Sequence, residues 1–160
     1  MDRFGRNGVG NVAVRRPVRW SRDEERALIE CSETSMHRNV YRAFRDFELI
    51  ERLFNVKCPM KNPGIAAIQN HLRSLMRMYK KVHYLLEQGF TFDVETNQVV
   101  GTDEQWNAVE PLGRCVRNRE FPHFPKLDEI MIYKRQQEAA RNDREQEAAP
   151  MECEIFIEFA

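Results

Sequence analysis

The sequence predicts an all-α fold: a three-helix core followed by a small β-hairpin and additional C-terminal helices. Three observations carry this. A long apolar repeat at steps of three and four runs from Ile65 to Leu86, two shorter ones precede it, and capping signals open helices at Ser21 and Thr102. The 160 residues suit one domain with tails, and 42% hydrophobic residues suffice for a core. Division falls into a flexible basic arm over 1–19, a domain over 20–132, and a charged, fraying helix and tail over 133–160.

The first helix opens at Trp20-Ser21. Ser21 is its N-cap and Glu24, three residues on, completes a capping box, with Ala27, Leu28 and Cys31 as the apolar stripe. A second helix is expected from Val40 to Phe54, where Phe44, Phe47, Ile50 and Phe54 recur, and Asn55-Val56-Lys57-Cys58-Pro59 breaks it. The third is expected with Asn62 as cap and Pro63 in the first helical position, where a missing N–H costs nothing. Ile65, Ile68, Leu72, Leu75, Tyr79, Val82 and Leu86 form its stripe, and Gly89 ends it in a left-handed cap. Trp20, Leu28, Phe44, Phe47, Ile68, Leu72 and Leu75 are the expected core.

Phe90–Asp93 and Asn97–Val100 pair as a hairpin. Thr102 with Gln105 caps a short helix through Trp106 that Pro111 stops. A last helix starts near Pro125 or Lys126 and frays beyond Tyr133, where apolar periodicity fades.

Charge is balanced in total, 25 basic against 25 acidic residues, yet segregated along the chain. The arm carries Arg3, Arg6, Arg15, Arg16 and Arg19 against Asp2. Residues 20–37 are acidic, residues 57–86 hold six basic side chains and no acid, and the last thirty turn acidic again. At 100° per residue, Asn70, Arg73, Arg77, Lys80, Lys81 and Tyr84 fall opposite the third helix's apolar stripe, with Gln69 at the margin. Arg, Asn and Gln match base edges in a major groove, and Lys matches phosphate. A solvated face of an ordinary surface helix is the bland alternative, but such faces mix signs and this one does not.

Other chemistries lack residues. Cys31, Cys58, Cys115 and Cys153 are far apart, and Cys58 with His71 and His83 lacks a second thiolate nearby, so neither a disulfide framework nor a metal site is expected. No Gly-rich phosphate loop or nucleophile elbow is visible, and Asp23-Glu24-Glu25 reads as helix-cap charge, so neither catalysis nor a cofactor is expected. No run approaches the roughly 18 apolar residues of a membrane span, and the N-terminus lacks an h-region. A soluble intracellular protein is expected.

Arg19-Trp20-Ser21 with Glu24, Phe54-Asn55-Val56-Lys57-Cys58, and Asn70-His71-Leu72-Arg73-Ser74-Leu75 with Tyr79 resemble the plant Myb/SANT-like DNA-binding domain family. So do Gly89-Phe90-Thr91-Phe92-Asp93, Asp103-Glu104-Gln105-Trp106 and Phe121-Pro122-His123-Phe124, in that order over 19–132. This family is similar to trihelix and Myb domains and includes relatives of Harbinger transposon accessory proteins. The resemblance implies a helix-turn-helix variant whose third helix reads DNA, a nuclear location, and a role as a transcriptional regulator or transposon-derived factor. It implies Trp20 in the core and Asn70, His71, Arg73, Arg77 and Lys80 on the DNA-facing helix. With Gln69, Lys81 and the arm's Arg15 and Arg16, these are the expected duplex-DNA contacts. The alternative is a SANT-like protein-interaction module, binding nuclear proteins through acidic helix 1 or the C-terminal tail.

Overall fold

The computed structural model describes residues 18–148. Helix α1 spans Arg22–Arg38, and the Ser21–Glu24 capping box is present in both directions: Ser21 Oγ accepts from the Glu24 amide and Glu24 accepts from the Ser21 amide. Asp23, Glu24 and Glu25 add favourable charge to its first turn.

The second helix departs from expectation. Val40–Arg42 forms one 3₁₀ turn capped by Asn39, Phe44 takes a left-handed conformation (φ 58°), and α2 runs Phe47–Lys57 from an Asp46 cap. Two local capping residues outweigh the apolar repeat that suggested a continuous helix from Val40. Its end also lies beyond Phe54, at the position where Pro59 disfavours helical geometry for Cys58.

Helix α3, Ile65–Glu87, starts later than the Asn62-Pro63 reading placed it. Gly64 is the N-cap, without a side-chain bond; Asn62 sits at φ 39° and Pro63 is buried. Left-handed backbone is tolerable for Asn, so this pair makes the turn before the helix instead of its first residues. At the other end Gly89 has φ 94°, its N–H bonds the Leu86 carbonyl, and Phe90 N–H bonds that of Leu85. This double bond closes α3 and sends the chain into the hairpin.

Strands β1 (Thr91–Asp93) and β2 (Gln98–Val100) pair antiparallel with Phe92 opposite Val99. Asp93 organises the turn, accepting from the Glu95 amide and the Thr96 hydroxyl. Helix α4, Asp103–Ala108, carries the Thr102–Gln105 capping box. It ends at Ala108, ahead of Pro111 as expected; Pro111 then precedes an additional helix that the sequence reading did not include, α5, Leu112–Val116. Helix α6 spans Phe124–Ala148 and does not stop near Tyr133. Its distal half lacks apolar periodicity but is rich in strong helix formers. Lys134–Glu138 and Arg141–Glu145 pairs support it, and Arg141 lies 4.3 Å over the Tyr41 ring.

Helix α2 packs on α1 and α3, while α5, α6 and β1 pack on α3. One continuous core results, reaching from Leu28, Ile50 and Phe54 through Ile68, Leu72 and Val82 to Trp106, Phe124 and Ile130. Of the expected core, Leu28, Ile68, Leu72 and Leu75 are buried; Trp20, Phe44 and Phe47 are half-buried against it. No described helix is long and apolar enough to cross a membrane.

Candidate nucleic-acid interface

Helix α3 buries Ile68, Leu72, Leu75, Tyr79, Val82 and Leu85, and that side fixes the opposite one. Asn70, Arg73, Arg77, Lys80 and Tyr84 are exposed along it, with Gln69 and Lys81 half-buried at its margins. Seven residues bring Arg73 and Lys80 nearly into line. Arg77 lies between them along the axis and Asn70 precedes Arg73 by one turn.

The six cations of the acid-free run divide into two groups. Lys57 bonds Glu30, and Lys61 bonds Glu24 at 2.8 Å and lies 5.3 Å over the Trp20 ring. Lys61 holds Glu24 below the ordinary carboxylate range, and Glu30 raises Lys57 above the ordinary ammonium value. Arg73, Arg77, Lys80 and Lys81 have no ion-pair partner among the described residues. The acids of α1 are largely consumed as well. Glu24 and Glu30 meet those lysines, Glu33 meets Lys126 at 2.9 Å, and Glu25 meets two histidines.

His71 is placed differently from the DNA-facing side chains. It lies about 160° around the helix from Arg73, its ring stacks on Trp20 at 4.6 Å, and its Nε2 is 2.8 Å from Glu25 Oε1. The other Glu25 oxygen is 2.7 Å from His123 Nε2, and the His123 side chain is 8% exposed. A carboxylate only accepts, so both imidazoles donate from Nε2. Burial pushes the Glu25 carboxyl up, but the bonds and charge from His123 and His71 outweigh it and hold it at about 2. This clamp joins α1, α3 and the segment before α6. Its signal in the sequence was faint: His123 stands alone in the apolar Phe121–Pro125 segment, and His71 is set among the polar residues Gln69, Asn70 and Arg73.

Two clefts flank α3. One, about 540 Å³, brings Arg45 and Lys134 beside Arg73 and Lys80, over Phe44, Phe47, Met76 and Met131. The other, about 490 Å³, sets Arg77 and Lys81 against Arg22 and Arg119, with His71, Glu25 and His123 deeper in. Arg45, Lys134 and Arg119 were not among the expected contacts, because no periodicity links them to α3. Arg15 and Arg16 lie outside the described residues.

Among curated proteins and solved structures nothing matches the chain. Residues 19–109, more than half of it, match the family model for the Myb/SANT-like DNA-binding domain. That span begins one residue before Trp20 and contains α1 to α4, including all of the exposed α3 face. The chain therefore belongs to the Myb/SANT-like DNA-binding domain family, a family of DNA-binding and not enzymatic domains.

Proposed function

We propose that this protein is a nuclear module that reads duplex DNA with α3, serving in transcriptional regulation or as a transposon-derived factor of the Harbinger accessory kind. One observation carries the reading: Arg73, Arg77 and Lys80 on the exposed face of α3, with Lys81 half-buried at its margin, have no ion-pair partner among the described residues, while the neighbouring Lys57 and Lys61 do. Unpaired cations repel one another, and a polyanion relieves that repulsion while releasing counterions.

Roles divide by position. Arg73, with Asn70 one turn earlier, is assigned to base edges, and Lys80 and Lys81 to phosphates. Arg77 lies between them, Gln69 borders the face, and Arg15 and Arg16 of the arm reach phosphates or the minor groove beside it. His71 acts by holding α3 against Glu25 and Trp20. The rival protein-interaction reading rests on acidic helix 1, whose Glu24, Glu25, Glu30 and Glu33 are engaged within the domain, and on the C-terminal tail, whose residues 151–160 lie outside the described residues.

The test is a salt titration of duplex binding. Each phosphate neutralised contributes about 0.9 to the slope of log K against log salt, so four contacts give about −3.6. Alanine at Arg73, Arg77, Lys80 and Lys81 together is expected to abolish most of that slope while the domain stays folded. Unchanged affinity and slope in the folded quadruple variant would remove α3 as the reader.

A further inference from the structure

The cleft between α3 and residues 115–123 has one wall inside the family-matched span and one wall beyond it. The outer wall is tied down at several points. His123 bonds Glu25 at 2.7 Å, the Phe121 amide bonds the Asn97 carbonyl at 2.7 Å, Arg22 pairs with Glu120, and Arg117 pairs with Asp103 at 2.5 Å. Asn118, at φ 61°, turns the chain there and Arg119 is exposed.

Charge in the cleft is asymmetric. Its two carboxylates are occupied, Glu120 by Arg22 and Glu25 by the two histidines. Arg77, Lys81 and Arg119 have no carboxylate partner among the described residues. Three unpaired cations therefore converge from two rigid walls. An α-helix with its side chains is about 10–12 Å across, and the major groove is about 12 Å wide. A helix seated there has a phosphate strand running along each flank. The clefts lie along the two flanks of α3.

We propose that the cleft of Arg77, Lys81 and Arg119 is a phosphate-backbone site for one strand of duplex DNA, with Arg119 supplying a contact from outside the family-matched residues. The inference rests on α3 being the DNA reader. Because the wall is already anchored, Arg119 binds without ordering a loop, which spares that entropic cost.

The experiment measures a labelled random-sequence duplex by fluorescence anisotropy at several salt concentrations, using the full chain. Variants are Arg119→Ala, Arg119→Glu and Arg119→Lys, with the Arg73→Ala/Lys80→Ala double variant as reference. Arg119→Ala is expected to make the salt slope shallower by about 0.9 and to weaken binding equally on any sequence. Arg119→Glu is expected to weaken it further, Arg119→Lys to restore it, and melting temperatures to stay unchanged. If Arg119→Ala and Arg119→Glu bind as wild type while the reference variant loses affinity, the cleft is overturned and the α3 reading survives. If the reference also binds unchanged, both fail. Should polyglutamate displace the duplex through Arg119 as well as unlabelled duplex does, the cleft is a site for an acidic protein segment, which also overturns the proposal.

Discussion

The Nε2 of His123 lies 2.7 Å from Oε2 of Glu25, across 98 residues of chain, and the second oxygen of the same carboxylate takes His71 at 2.8 Å. One side chain of α1 thus sets both the roll of α3 and the position of the segment leading into α6. Its two bonds are made where the Glu25 side chain is only 21% exposed, so they are weakly screened.

Glu25 therefore supplies a pH-dependent share of stability. Its folded value, about 2, lies below its ordinary 4.5, so the contribution is fully present above 4.5 and is lost as pH falls from 4.5 through 2. The shift corresponds to at most about 3 kcal/mol. Denaturant titrations at pH 6, 4 and 2.5 should show this loss in wild type and a flatter profile in Glu25→Gln. An identical profile in the variant would remove the clamp from the account.

Tyr79 gives a test at the alkaline end. It is 3% exposed and its hydroxyl donates to Asp128 Oδ1 at 2.9 Å. Burial, then the Asp128 bond and charge, push the phenol up to about 12. Ultraviolet titration should show a tyrosine step near pH 12 that Tyr79→Phe removes. Stability associated with it is present below pH 10 and lost as pH rises toward 12. Tyr79→Phe should cost about 1–3 kcal/mol, since Asp128 loses its donor.

Leu72 is 2% exposed and joins α3 to the common core. Leu72→Ala should cost about 2–5 kcal/mol, because the close-packed surroundings leave a cavity. Thermal and urea melts check this, and a variant as stable as wild type would contradict the packing register of α3.

Gly101 admits no larger residue. A Cβ there would stand 2.5 Å from the Phe90 ring, which is itself held edge-on to Trp106 at 4.6 Å. Gly101→Ala should cost about 1–3 kcal/mol through overpacking, with a change in Trp106 fluorescence that reports a displaced Phe90.

Signals confined to a few neighbouring residues were legible before folding. Ser21 with Glu24 and Thr102 with Gln105 cap the helices they were expected to cap, and Gly89 is left-handed where α3 ends. The stripe from Ile68 to Val82 faces the core, which puts Arg73, Arg77 and Lys80 outside. Here the determining interactions span three or four residues, so local order and side-chain period suffice. Over residues 39–54 two local signals compete. The aromatic repeat of 44–54 suggested one helix, but the Asn39 and Asp46 caps divide it at Phe44.

Tertiary structure alone decided the rest. His71 turns toward Glu25 and Trp20, 46 and 51 positions away, although Asn70 before it and Arg73 two residues on point outward. Arg45, Lys134 and Arg119 reach the flanks of α3 only because the turn before α2, helix α6 and the 115–123 segment pack around it. The distal half of α6 has no stripe to announce it and is held by charge pairs along the helix and by Arg141 on Tyr41. Hydrophobic burial is non-directional, so an apolar pattern specifies which face turns inward but not which element it meets. That choice depends on shape and charge matching among segments far apart in the chain, and it is what brings separate cations to the two clefts beside α3.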